Sequence, residues 1–118
     1  MNIEALRRFC LNLPAVTEDI KWGNDLCFLI GEKMFCITGL EGPFKFSMKV
    51  REDEYDELIA RPGIVPAPYL ARYKWVLVEH SNSLSQEQTE CYITQSYELV
   101  KAKLPRSMLK KMRGSGKH

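Results

Sequence analysis

Few side chains in this sequence are of the kinds that carry out reactions, and their spacing keeps them apart. The histidines are His80, which ends a strand pattern, and His118, the last residue. A histidine base or a metal cluster needs partners nearby, and neither has them. Cys10, Cys27, Cys36 and Cys91 are separated by 17, 9 and 55 residues with no CxxC pair. Each lies in an apolar periodic stretch, so they are expected to be buried thiols. Glu18 and Asp19 are adjacent carboxylates, but neighbours in extended chain point to different sides and no nucleophile stands beside them. Gly114-Ser115-Gly116-Lys117 resembles part of a phosphate loop, yet Lys111 stands where that motif needs its first glycine. The residues therefore assign no catalytic group, no metal ligand and no cofactor.

What the chain does concentrate is positive charge among aromatic rings. Between Glu57 and Glu79 there is no acid, while Arg61, Tyr69, Arg72, Tyr73, Lys74 and Trp75 interleave bases with aromatics. Cations pair with phosphate oxygens and aromatic faces stack on bases, so the mixture suits nucleic acid. It also suits ordinary packing, because Tyr and Trp bury large areas in any small domain. A second cluster is Lys45, Ser47 and Lys49, continued by Arg51. Strand alternation puts the first three on one surface at a spacing of about 7 Å. A charged strand face equally keeps an exposed sheet in solution.

Charge is unevenly spread. The 118 residues carry a formal net charge of +2, with 17 Lys+Arg against 15 Asp+Glu. Residues 105–118 hold Arg106, Lys110, Lys111, Arg113 and Lys117 and no acid. Subtracting these five leaves 12 bases against 15 acids, a charge of −3 on residues 1–104. A single domain over residues 1–104 with a basic C-terminal tail over 105–118 is expected, and Gly114 to Lys117 reads as a flexible end. At 45% hydrophobic and 27% charged, this is the balance of a globular domain with a core of its own. The longest apolar runs, such as Leu26 to Ile30, fall far short of the ~20 residues a membrane helix needs. The first residues lack the pattern of a secretory signal, so a cytoplasmic location away from membranes is expected.

The elements that must position these groups follow from periodicity. Asn2 caps a helix over about residues 3–12, with Ile3, Leu6, Phe9, Cys10 and Leu13 on one side and Pro14 as its stop. Residues 17–23 read as a polar loop. Leu26 to Ile30 and Met34 to Ile37 flank Gly31-Glu32-Lys33 as a hairpin, and Phe44 to Val50 alternates as the third strand of a meander. Glu52 to Ala60 is a short helix ended by Pro62-Gly63. Residues 61–68 read as an extended, ordered loop, and 74–80 as a further strand. Ser85 and Gln88 form a capping box ahead of a long helix closed by Pro105. The fold class is therefore α+β, a two-layer sandwich of helices on one face of an antiparallel sheet. That sheet holds the meander and one or two further strands, with its other face open.

Several of these residues, taken in order, match a family pattern. Leu13-Pro14-Ala15-Val16-Thr17-Glu18-Asp19, Trp22-Gly23, Gly31-Glu32-Lys33-Met34-Phe35, Ser47-Met48-Lys49, Pro62-Gly63-Ile64-Val65-Pro66, Tyr69, Trp75 and Ser96-Tyr97-Glu98-Leu99-Val100 resemble the MmcQ/YjbR family of small bacterial proteins. The resemblance implies a fold like that of type III secretion chaperones and DNA binding through a double-wing structure. It marks Glu18, Asp19, Trp22 and Tyr69 as matching positions of unassigned role. Many relatives have His-Trp where this chain has Lys74-Trp75, which removes a titratable ring and adds a fixed charge.

The expectation is a noncatalytic DNA- or nucleic-acid-binding module. Lys45, Lys49, Arg51, Arg72 and Lys74 would contact phosphates, Tyr73 and Trp75 would stack, and the basic tail would clamp. The alternative is a protein-interaction module like the secretion chaperones, holding an apolar segment of a protein or peptide partner on the open sheet face or the Pro-rich loop. A small-molecule site around Trp22 and Trp75 is a third reading. A monomer is the expected state.

Overall fold

The structure, a computed structural model, describes residues 1–115, with side chains described as far as Lys111. Lys117 and His118 lie outside the described residues.

Asn2 accepts the Ala5 N–H at 2.8 Å and starts α1 (Ile3–Leu11), whose Leu6 and Cys10 are fully buried. The chain then enters β1 (Val16–Lys21), where the sequence reads as a loop. Backbone pairing makes it a strand: β1 registers with β2 (Asp25–Ile30) from Val16↔Ile30 to Lys21↔Asp25. As an edge strand with one wet face it needs little apolar content. β2 turns into β3 (Lys33–Gly39) through Gly31 and Glu32, at φ 56° and 68°. Two successive left-handed residues give the turn whose twist matches a hairpin.

β4 (Phe46–Lys49) leads into α2 (Glu52–Ile59). β5 (Ile64–Pro66) lies inside the Pro-rich stretch and pairs with β6 (Trp75–Val78) after a single 3-10 turn at Ala71–Tyr73. Proline fits there because β5 is an edge strand. Gly63, at φ 85°, cannot be replaced freely, since a Cβ would collide with Ser83 Oγ. The six strands run antiparallel in the order β1-β2-β3-β4-β6-β5. The expected two-layer α+β architecture is present, with β1 and β5 enlarging the sheet.

The capping box at Ser85 and Gln88 opens α3 (Gln86–Lys101). With α1, this helix covers one face of the sheet: Leu6, Cys10, Ile93 and Tyr97 pack with Phe28, Phe35, Met48 and Val76 in one core. Tyr97 meets Phe35 edge-on at 5.4 Å and donates its hydroxyl to Pro14 O at 2.6 Å. Fully buried Ser96 donates to Phe35 O at 2.6 Å and accepts the Lys49 N–H at 3.0 Å, tying α3 to β3 and to the end of β4.

The second face is not wholly open. Cys27, Leu29, Ala67 and Trp75 are buried yet stand outside the helix-side core. Register places Cys27 beside Ile37 and Trp75 beside Lys49 on that second face. Residues 67–74 fold over its far end, held by Ala67 N–H to Trp75 O at 3.1 Å and Trp75 N–H to Leu70 O at 3.3 Å.

Where it is described, the basic tail forms α4 (Arg106–Ser115), which begins directly after Pro105 and includes the first two residues of the expected flexible end; the rest of that end, 116–117, lies outside the described residues. Proline suits a helix start. Apolar positions 108, 109 and 112 share helical spacing, and Met108 and Leu109 pack against the core. No helix among the described residues is long and apolar enough to cross a membrane.

Candidate functional site

Residues 67–74 divide the second face and its border into two depressions of opposite character. On one side lies a hollow of about 570 Å³ lined by Lys49, Arg51, Arg72, Lys74 and Lys103, together with Glu52, Asp53, Tyr73 and Leu99. Its cations come from four stretches of chain: the end of β4, the entry to α2, the turn before β6 and the segment after α3. Local structure forces the meeting. Ser96 fixes the backbone of Lys49, and the Val50 N–H bonds Lys74 O at 2.9 Å. Lys74 takes a left-handed conformation, φ 64°, to leave the 3-10 turn for β6.

The hollow has a positive excess. Asp53 holds Arg51 at 2.6 Å and offsets its charge. Lys49, Arg72, Lys74 and Lys103 pair with no carboxylate among the described residues, against the one remaining acid, Glu52. Lys49 Nζ donates to Tyr73 O at 2.7 Å. Burial, and then the charge of Lys103, pull the Lys49 ammonium below the ordinary lysine pKa. Lys74 Nζ lies 4.7 Å from the Tyr55 ring centre and the Arg72 guanidinium 5.2 Å from that of Tyr73. Rings hold these cations without discharging them.

On the other side is an apolar groove of about 800 Å³. Its floor includes Met34, Ile37 and Leu77, and Ala67, Pro68 and Leu70 wall it. It crosses β2, β3, β4 and β6, about 15 Å at the usual strand spacing. Trp22 and Tyr69 also line it, 70% and 97% exposed, both with left-handed backbone at φ 54° and 66°. That conformation costs an ordinary residue roughly 1–2 kcal/mol, and such strain concentrates at functional surfaces. Asp25 and Glu41 line the groove at its β2–β3 end, where Leu40 N–H bonds Asn24 O at 2.9 Å. Ser47 of β4 and Lys45, just before that strand, line it as well.

The candidate residues therefore separate. Lys49, Arg51, Arg72, Tyr73 and Lys74 share the hollow, which also gains Lys103; only the packing of α3 brings that residue near. Lys45, just before β4, lies in the groove instead, four residues and about 13 Å from Lys49. Trp75 is 5% exposed beneath residues 67–74, so its expected stacking role is corrected: the ring is not available. The exposed rings are Trp22 and Tyr69 in the groove and the expected stacking residue Tyr73 in the hollow. Glu18 accepts from Arg7 Nε at 2.8 Å and Nη2 at 2.6 Å, joining β1 to α1, and that hydrogen bonding holds its carboxyl below the usual range. Asp19 is an exposed residue of the same strand. The groove lies on the sheet face and beside the Pro-rich residues that the alternative reading names, and it leaves a further signal in the sequence: Met34-Phe35-Cys36-Ile37 is apolar at every position, so both faces of β3 need cover. Among the described residues no group of three or more His, Cys, Asp or Glu is placed to hold a metal ion.

Among solved structures, protein DR2400 of Deinococcus radiodurans, which carries the domain DUF419, superposes with a TM-score of 0.85 at 27% identity, over 94% of this chain and 87% of that one. A Pseudomonas syringae protein solved by structural genomics gives a TM-score of 0.70 at 20% identity, over 84% of this chain and 98% of that one, which is a likeness of fold. No curated protein sequence matches. The family model YjbR matches residues 11–99, about three quarters of the sequence and every element from the end of α1 to the body of α3. The chain belongs to the YjbR family.

Proposed function

We propose that this chain is a noncatalytic nucleic-acid-binding module that grips phosphates in the hollow between β4, α2 and the turn before β6. One observation carries the reading: cations distant in sequence gather in a single depression, most of them without carboxylate partners, on a domain whose first 104 residues are otherwise slightly acidic. Lysine and arginine neutralise phosphates and release counterions, which gives weak, sequence-tolerant and salt-dependent affinity. Lys49, Arg72, Lys74 and Lys103 are the phosphate contacts of this reading. Arg51 is a poorer one because Asp53 already holds it.

The test is fluorescence anisotropy of a labelled duplex and a labelled single strand over a salt series. Arg72→Glu and Lys74→Glu are each expected to weaken binding of either strand form and to lower the slope of log affinity against log salt by about one or more. Arg106→Gln with Lys110→Gln asks whether α4 adds a contact, and leaves in place the Met108 and Leu109 packing that a truncation would remove. Undetectable binding of both forms at ~50 mM salt, where the phosphate attraction is strong, overturns the reading.

The apolar groove favours a second reading, in which an extended segment of a protein partner lies across the sheet. Such a partner binds with little dependence on salt, so the same titration separates the two.

A further inference from the structure

Resting on the nucleic-acid reading, we infer that the apolar groove on the second sheet face receives unpaired nucleobases, so that the preferred ligand is a single strand and not a duplex. A duplex stacks its bases inward and offers phosphates and groove edges. It could use the cation hollow, but it would leave the large apolar groove beside it empty. A single strand offers flat faces, and every base can stack on an aromatic ring.

The groove is furnished for such faces. Trp22 and Tyr69 are the most exposed large apolar side chains among the described residues, and both line it. They project from opposite walls, Trp22 from the β1–β2 turn and Tyr69 from the segment that covers Trp75. Charge is arranged to match a nucleotide strand. Asp25 and Glu41, at one end, are acceptors when ionised; they repel phosphate but accept from the exocyclic amino groups of bases. Lys45 stands just before β4, between that end and Lys49, about 13 Å further along in the hollow, so bases and phosphates each meet their complement along one path. Ser47, between the two lysines on the same strand face, is a neutral donor or acceptor.

The full chain supplies its own reporter. Trp22 is exposed and Trp75 is buried, so quenching of tryptophan emission on addition of an oligonucleotide reads stacking at Trp22. A mixed-sequence single-stranded 12-mer, the duplex of that sequence and a 12-unit abasic sugar-phosphate strand are titrated at ~50 mM salt. The 12-mer is expected to quench and to bind about tenfold more tightly than the duplex or the abasic strand. Trp22→Ala and Tyr69→Ala, both at exposed positions, are each expected to weaken the 12-mer about five- to tenfold, leaving duplex affinity and the salt slope unchanged.

Equal affinity for single strand and duplex, or for base-bearing and abasic strands, overturns the assignment of the groove while leaving the phosphate hollow standing. Absence of binding by every strand overturns both. Salt-insensitive binding of an unstructured apolar peptide, lost in Trp22→Ala and unaccompanied by nucleic-acid binding, gives the groove to a protein partner and overturns the inference as well.

Discussion

Lys49 meets two opposing demands. Its backbone is held by Ser96 and its ammonium by Tyr73 O, so its position is fixed, yet burial and Lys103 disfavour its charge. On the proposed nucleic-acid reading, a phosphate arriving in the hollow would supply the missing counter-charge, because a pre-placed, under-compensated lysine binds anions better than a free surface one. The cysteines take part in none of this. Cys10, Cys27 and Cys36 are fully buried and Cys91 is exposed. Burial first, and then Asp25, push the Cys27 thiol up to about 11, and Cys36, beside Cys10, is also raised. Reactive thiolate is scarce at such sites. Titration with an aromatic disulfide at pH 8 should therefore release one equivalent promptly, from Cys91, and the other three only in denaturant. Prompt release of two or more would contradict the burial. The sequence pointed to buried thiols for all four and missed Cys91, which has an apolar neighbour two residues on at Ile93 but sits on the outer side of α3. It failed similarly at Trp75: basic neighbours identify a charged region, whereas pairing with Lys49 on a face roofed by residues 67–74 decides exposure.

Elements with their own periodicity or caps were legible; those defined by their neighbours were not. Asn2 and the Ser85–Gln88 box announce α1 and α3 from local hydrogen bonds alone. The strands β1 and β5 exist because β2 and β6 offer them partners, and Val16–Lys21 alternates too weakly to declare itself. The meeting of Lys49, Lys74 and Lys103 likewise depends on packing that no local pattern encodes. Its central fastening is Ser96, which holds β3 and β4 to α3 with two hydrogen bonds from a site without solvent. Ser96→Ala deprives Phe35 O and the Lys49 N–H of this partner and should cost about 1–3 kcal/mol. Urea denaturation should show a lower midpoint with an unchanged slope. A loss below ~0.5 kcal/mol would mean that water or a shifted backbone replaces the hydroxyl.

Charge and shape act together only over the whole molecule. A net +2 spread evenly would attract a polyanion feebly, but this chain keeps most of its acids away from one depression and sets an apolar groove against that depression's wall. The sheet makes the juxtaposition: β4 and the residue before it carry Ser47 and Lys45 into the groove and Lys49 into the hollow, and residues 67–74 wall both. A ligand that spans the two binds the folded chain alone, since unfolding scatters four stretches of sequence. Mass action then stabilises the fold, by about 2.7 kcal/mol at a ligand concentration one hundred times its dissociation constant. A single-stranded 12-mer should accordingly raise the thermal midpoint by several degrees at low salt, and the rise should vanish in ~0.5 M NaCl as phosphate contacts are screened. Combining Arg72→Glu with Lys74→Glu should abolish the rise while lowering the midpoint of the free protein by only a few degrees, because neither residue forms an ion pair and what the fold loses is their contacts with the Tyr73 and Tyr55 rings. A full shift in that double variant would place the polyanion elsewhere, with the basic face of α4 as the next surface to reverse.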